Sequence, residues 1–242
     1  MYKNYLFDLY GTLVDINTNE WKSYLWKKMS ELYGFEGAFY SAAELKKAYF
    51  EEVEREKERV RIKNPVYEHI DIRIENVFDN LLKFKGIEVP DGFREYTSKI
   101  FRIISTKYIK LYDGAEELLT ALREAGKNVY LLTNAQRSFT VPELKFLGLY
   151  DKFDGIVISS DEYVSKPDKE FYNIIIDRYS LKRNETIMIG NDCTTDIEGS
   201  YNAGLDSLYI HSNISPEVRG ELKSRFSVMD GDVKKIKDMI IK

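Results

Sequence analysis

Five short β-rich runs alternate with segments of helical period, and this pattern constrains the fold more than any other feature of the sequence. The runs cover residues 5–7, 128–133, 153–159, 186–189 and 207–210. Helical patterns lie between them, over 115–124, 142–147, 171–179 and 196–202. The first has Leu118, Leu119 and Leu122 on one face and Gly126 as its stop. Pro167 suits the first turn of the third. Strands alternating with helices predict an α/β fold, with a Rossmann-like parallel sheet covered by helices on both faces.

Residues 17–109 break the alternation. They are charged and helical in period, with the clearest helices over 44–61, 67–84 and 93–108 and no strand pattern. A chain of 242 residues can hold one large domain and a smaller insertion. The expected organisation is an α/β core formed by 1–16 and 110–242, with an all-helical cap domain over 17–109 inserted after the first strand. The charge run over 51–61 reads as a solvated helix face.

Composition narrows the function. A formal net charge of -4 argues against a dedicated nucleic-acid binder. No run approaches the roughly 18 apolar residues that a membrane span needs. The single cysteine, Cys193, cannot form an internal disulfide, and the first residues are charged too soon for a signal peptide. Both features predict a cytoplasmic protein. A monomer or a homodimer is expected, the latter through pairing of an exposed cap helix with its copy.

Open parallel sheets bind ligands beyond the carboxyl ends of their strands. The first run stops at Asp8 and the second at Thr133 and Asn134. The third is followed by Ser165, Lys166 and Pro167. The fourth ends in Gly190, Asn191 and Asp192, with Asp196 a turn later. Taken singly, the acids read as caps or turn formers and Lys166 as a solvated charge. Taken together, they gather carboxylates, a hydroxyl and an ammonium in one cleft, as an anion site with a metal requires. Tyr172 reads as part of an apolar helix face and Cys193 as a small filler. His69 and His211 lack ligand spacing.

In order and spacing these segments resemble the haloacid dehalogenase superfamily. Phe7-Asp8-Leu9-Tyr10-Gly11-Thr12-Leu13-Val14-Asp15 looks like its first motif and Leu131-Leu132-Thr133-Asn134 like its second. Ser165-Lys166-Pro167-Asp168 resembles the third, and Ile189-Gly190-Asn191-Asp192 through Asp196 to Gly204 the fourth. The first motif is specific, and the helical middle occupies the place of that superfamily's cap.

The resemblance implies a hydrolase in which Asp8 attacks phosphorus or carbon to form a covalent aspartyl intermediate. Mg²⁺ would be held by Asp8, the Tyr10 backbone carbonyl and an acid of the fourth motif. That acid is Asp192 or Asp196, with Asn191 as a neutral oxygen donor in reserve. Lys166 would neutralise the nucleophile, Thr133 and Asn134 would hold phosphate oxygens, and Gly11 would let the backbone turn beside the ligand. Two positions depart from the pattern. Tyr10 stands where the phosphatases carry a second Asp as general acid, as it does in the haloacid dehalogenases, whose leaving halide needs neither proton nor metal. Asn191 replaces an acid, which is shifted to Asp192. The expected function is a Mg²⁺-dependent phosphatase of a small phosphorylated metabolite. A metal-independent 2-haloacid dehalogenase and a catalytically weak phosphate-ester-binding regulatory protein are the alternatives.

Overall fold

A computed structural model of the chain describes residues 2–240. Residues 1, 241 and 242, assigned to the core from sequence, lie outside them. In chain order the elements begin with β1 (Asn4–Phe7), β2 (Val14–Thr18), α1 (Ser23–Phe35), α2 (Ala42–Lys63), α3 (Ile74–Lys83) and α4 (Phe93–Ser105). Then come β3 (Thr106–Leu111), α5 (Ala115–Glu124), β4 (Asn128–Thr133), α6 (Arg137–Phe146), β5 (Gly155–Ile158) and α7 (Ser159–Glu162). The chain continues with α8 (Lys169–Arg178), β6 (Thr186–Gly190), a π-helical turn (Cys193–Glu198) and α9 (Gly199–Asn202), and ends with β7 (Asp206–Ile210), β8 (Phe226–Val228) and α10 (Lys234–Ile240).

Six strands form one sheet in the order β5-β4-β1-β6-β7-β8, and every pairing in it is parallel. Alternation along the strands divides the core. Tyr5, Phe7, Val129, Leu131, Ile187 and Ile189 face one side, where α5 and α10 supply Leu118, Leu122 and Ile236. Leu6, Leu132 and Met188 face the other, against Phe171 and Ile175 of α8. A strand buried on both faces needs apolar side chains in both registers, which is why these runs are continuously apolar. The edge strand β8 and helix α10 were not foreseen from sequence; β8 is three residues long and, among the described residues, pairs only with β7.

The inserted segment differs from its expected form. It is not wholly helical at its ends. β2 and β3 pair as an antiparallel ribbon, with Val14 opposite Leu111 and Ile16 opposite Ile109. The helix expected over 93–108 therefore stops at Ser105. Its apolar period runs on through Tyr108 and Ile109, but those residues answer to a partner almost a hundred positions away. The helix expected over 67–84 begins only at Ile74. Residues 68–73 instead form a strap on the core. Glu68 N and His69 N donate to Asp168 Oδ2, Ser165 N donates to the His69 carbonyl, and Asp71 N donates to the Tyr163 carbonyl. Pro167 is not in the first turn of α8, because Asp168 is the cap and its side chain accepts from Glu170 N. α6 starts five residues earlier than its expected position and carries Pro142 inside it.

The charge run over 51–61 is not uniformly solvated either. Glu52 and Glu56 are buried, and Arg59 bonds both while Asn80 and Asn76 of α3 donate to them. α2 begins with a reciprocal capping box between Ser41 and Glu44. The four inserted helices share an aromatic core of Trp26, Tyr49, Phe78 and Phe101, and Phe139 of α6 stacks on Phe101 at 6.0 Å. No helix among the described residues is long and apolar enough to cross a membrane.

Phe101 touches Trp26, Tyr49, Phe78 and Phe139. Phe101→Ala is expected to cost about 3–5 kcal/mol. Urea unfolding at constant m-value measures this cost, and a loss below about 1 kcal/mol would show that Phe101 is not a packing centre of this aromatic cluster.

Candidate active site

The carboxyl ends of β1, β4 and β6 converge because the three strands are adjacent and in register, with Phe7 opposite both Leu131 and Ile189. Asp8 follows β1 directly, and its N–H donates to the Ile189 carbonyl at 2.9 Å. Lys166 arrives from the loop before α8. Its ammonium lies 2.7 Å from Asp8 Oδ1, 2.7 Å from Asp196 Oδ1 and 2.9 Å from the Leu132 carbonyl. All three ammonium hydrogens are thus engaged, and Lys166 is 3 % exposed. Burial disfavours the ammonium, but the Asp196 and Asp8 carboxylates outweigh it and hold Lys166 above the usual lysine range. Burial pushes Asp196 up to about 7, against the pull of Lys166 and with a further push from Asp8.

Two glycines allow this crowding. A Cβ on Gly190 would lie 2.3 Å from Asp196 Cγ, so only glycine fits beneath that carboxylate. Gly11 has φ +86, and a Cβ there would lie 2.3 Å from Asn191 Nδ2. The asparagine thus packs against the turn that follows the nucleophile. Thr12, overlooked in the sequence, joins the two: its Oγ1 lies 3.3 Å from both Asp8 Oδ2 and Asn191 Oδ1.

The remaining expected residues fall into three groups. Thr133 is fully buried beside the cluster, and its Oγ1 has no hydrogen-bond partner among the described residues. Asn134 is committed elsewhere. Its side-chain amide donates to the Lys166 carbonyl at 2.9 Å and accepts from Lys166 N at 2.8 Å, so it fixes the lysine loop rather than presenting its side chain to a ligand. Asp192 is also committed. Its Oδ1 accepts from Thr194 N and Thr195 N as the cap of the π-helical turn, while its own N–H donates to Asp196 Oδ2. The cluster therefore gathers two carboxylates, Asp8 and Asp196, where the sequence offered three.

Tyr10 points into the seam between the core and the insertion. Its hydroxyl donates to Glu143 Oε2 at 2.5 Å and lies 3.2 Å from Thr140 Oγ1. Arg102 of α4 covers the ring at 5.5 Å and bonds Glu143 at 2.6 Å. Burial, then the Glu143 charge, push the phenol well above the usual tyrosine range, against the opposing pull of Arg102. Sequence reasoning missed Glu143 and Arg102; both are ordinary charged helix residues in the sequence, and only the packing of α4 on α6 brings them to Tyr10. Tyr172 is buried among apolar side chains and donates to the Thr195 carbonyl at 2.6 Å. Cys193, His69 and His211 stay out of the cluster: His211 pairs with Tyr209, and Cys193 contacts the Glu217 carbonyl at 3.8 Å.

The donor set fits Mg²⁺. Asp8, Asn191 and Asp196 offer hard oxygen donors, with no thiolate or imidazole among them, and Mg²⁺ keeps several waters. The neutral Asn191 makes the set less negative than one with a third acid.

Asp196 gives the metal-free protein a pH signature. Its carboxyl is raised in the folded chain, so the folded state keeps a proton that the unfolded state releases. This contribution is complete below the unfolded pKa of about 4 and is lost as pH rises through about 7. In chelator, the unfolding free energy of the wild type relative to Asp196→Asn is expected to fall between pH 4 and pH 7. A flat difference would place Asp196 as an ordinary ionised carboxylate.

Comparison with known proteins accords with this geometry. The haloacid dehalogenase-like hydrolase family matches residues 2–204. The HAD-hydrolase YfnB of Bacillus subtilis (strain 168) is 31% identical over 142 residues, 58% of this chain and 59% of its own length. Its magnesium-bound crystal structure, reported as revealing interdomain movement, superposes with a TM-score of 0.58 at 22% identity, covering 100% of this chain and 99% of that one. The phosphoserine phosphatase of Thermus thermophilus is 27% identical over 143 residues, 59% of this chain and 56% of its own length. The sequence matches thus span little more than half the length of these two relatives. A dehalogenase crystallised as an intermediate complex superposes with a TM-score of 0.61 at 19% identity, over 100% of this chain and 98% of that one. With the family matched over most of its length and the strand-end cluster in place, this chain belongs to the haloacid dehalogenase-like hydrolases.

Proposed function

We propose that the protein is a Mg²⁺-dependent phosphatase of a small phosphorylated metabolite, working through an aspartyl-phosphate at Asp8. The observation that carries this reading is the Asp8–Lys166–Asp196 cluster with an unpartnered hydroxyl beside it. A nucleophilic carboxylate must approach an anionic phosphoryl group, so positive charge at the site is the first requirement. Lys166 supplies one such charge, fixed as a point charge beside the attacking oxygen. The buried Thr133 hydroxyl has room in its bonding for a phosphoryl oxygen. Asn134 keeps Lys166 in place by holding both backbone groups of that residue.

Asp8, the Tyr10 carbonyl, Asn191 and Asp196 would hold Mg²⁺, which when bound offsets the repulsion between nucleophile and phosphate. Asp192 is left as the cap that orients Asp196. YfnB, bound to magnesium in its crystal structure, and the phosphoserine phosphatase of Thermus thermophilus are the relatives that favour this reading. The nucleophile is 7 % exposed, so it is largely shielded from bulk water.

Tyr10 supports a second reading, a metal-independent 2-haloacid dehalogenase, because a leaving halide needs no proton and this phenol is held by Glu143. Hydrolysis of p-nitrophenyl phosphate separates the two. Turnover is expected with Mg²⁺ and not in chelator, and Asp8→Asn is expected to lower it by at least about 10³-fold. Wild-type activity no greater than the mutant's, together with halide release from a 2-haloacid in chelator, would establish the second reading instead.

A further inference from the structure

We propose that a second cavity, between the insertion and the core, binds a small zwitterion in which a phosphate monoester is joined to an ammonium group. The site is separate from Asp8, and the inference does not depend on the reaction proposed there. The cavity holds about 630 Å³. Arg73, Arg94 and Lys99 line it from the insertion, and Arg137 and Lys145 line it from α6 of the core. Two acids, Glu75 and Glu95, stand against these five cations. No member of the Asp8–Lys166–Asp196 cluster lines the cavity. Ser138, Val141, Pro142 and Lys145 do, and at helical spacing they share the face of α6 opposite Thr140 and Glu143, the residues that meet Tyr10.

Groups of both signs are left under-partnered here. Arg73, from the insertion, and Arg137, from the core, converge on one carboxylate, Asp161, at 4.0 Å and 2.8 Å. Two guanidinium groups therefore share a single anion. Glu75 Oε2 and Ser138 Oγ are buried and have no hydrogen-bond partner among the described residues. Polar atoms shut away from water without a partner are costly, and a ligand that pairs them recovers that cost. A pocket with a few convergent polar groups of this kind is a binding site in form.

Each group selects part of the ligand. Glu75 Oε2 can only accept when ionised, so it calls for a donor, and an ammonium makes the stronger, charge-assisted bond. The planar forks of Arg73 and Arg137 match phosphate oxygens. Ser138 lies in the first turn of α6, whose positive end favours an anion, and its hydroxyl is free to donate to a further oxygen. The surplus of cations requires a ligand with more negative than positive charge. A phosphate monoester dianion carrying one ammonium meets this condition, and a neutral amino-acid zwitterion does not. Arg73 and Glu75 belong to the insertion, Arg137 and Ser138 to the core, so the bound ligand ties the two together across their seam.

The test is calorimetric titration of the whole protein, in chelator, with O-phosphoethanolamine, glycerol 1-phosphate and inorganic phosphate. O-phosphoethanolamine is expected to bind at one site, at least about tenfold more tightly than either of the others. Arg73→Ala and Arg137→Ala, both at exposed side chains, are each expected to weaken it by about tenfold. Glu75→Gln is expected to abolish the preference over glycerol 1-phosphate, and Asp8→Asn to leave the affinity unchanged. Equal binding of glycerol 1-phosphate by the wild type would overturn the ammonium assignment. An affinity that shifts with Asp8→Asn and not with the arginine variants would place the ligand at the reaction site and overturn the second site. Absence of binding up to about 10 mM would overturn it as well.

Discussion

The Lys166 ammonium sits out of water between the carboxylates of Asp8 and Asp196, and the geometry of the sheet's carboxyl edge depends on that contact. Two buried acids this close would repel and take up protons without a cation between them. A buried ion pair recovers its desolvation cost only when its hydrogen bonds are complete, and here they are. The third ammonium hydrogen meets a strand carbonyl, Asp196 accepts from Asp192 N, and Asp8 has Thr12 nearby. Removing Lys166 would leave two buried acids facing each other, a loss of about 3–5 kcal/mol.

Around this charge the protein arranges supports that never touch it. Asn134 grips the backbone of Lys166, and Gly190 leaves the space that Asp196 fills. Asp192 holds the turn that aims Asp196. The strap over residues 68–73 braces the loop that leads to Lys166. Ser159 Oγ and Gln136 Nε2 donate to Asp71, and Ile74 N donates to Gln136 Oε1. The insertion is therefore bonded to the segments that follow β4 and β5, and these are the segments that carry the site.

The seam between insertion and core holds a second electrostatic unit. Arg102 comes from α4, Glu143 from α6 and Tyr10 from the turn after the nucleophile. Phe139 extends this seam by stacking on Phe101 within the aromatic core of the inserted helices. The ion pair is largely buried, so it is screened little by salt and ties the inserted helices to the nucleophile's turn.

The sequence by itself determined the α/β core. Strands buried on both faces must be continuously apolar, and the polar residues that end them must meet where adjacent parallel strands end. Asp8, Thr133, Lys166 and Asp196 were therefore legible as strand-end residues, while the role of glycine at position 11 came from the family resemblance. The tertiary structure decided what each polar group does. Asp192 and Asn134 carry the same chemistry whether they bind a ligand, cap a turn or clamp a backbone, and only the positions of Thr194 and Lys166 distinguish these roles. The ribbon of β2 and β3 and the burial of Glu52 were hidden for the same reason. A strand partner or a buried counter-charge from a distant segment leaves no local trace, because the free energy that fixes it is released only when the two segments meet.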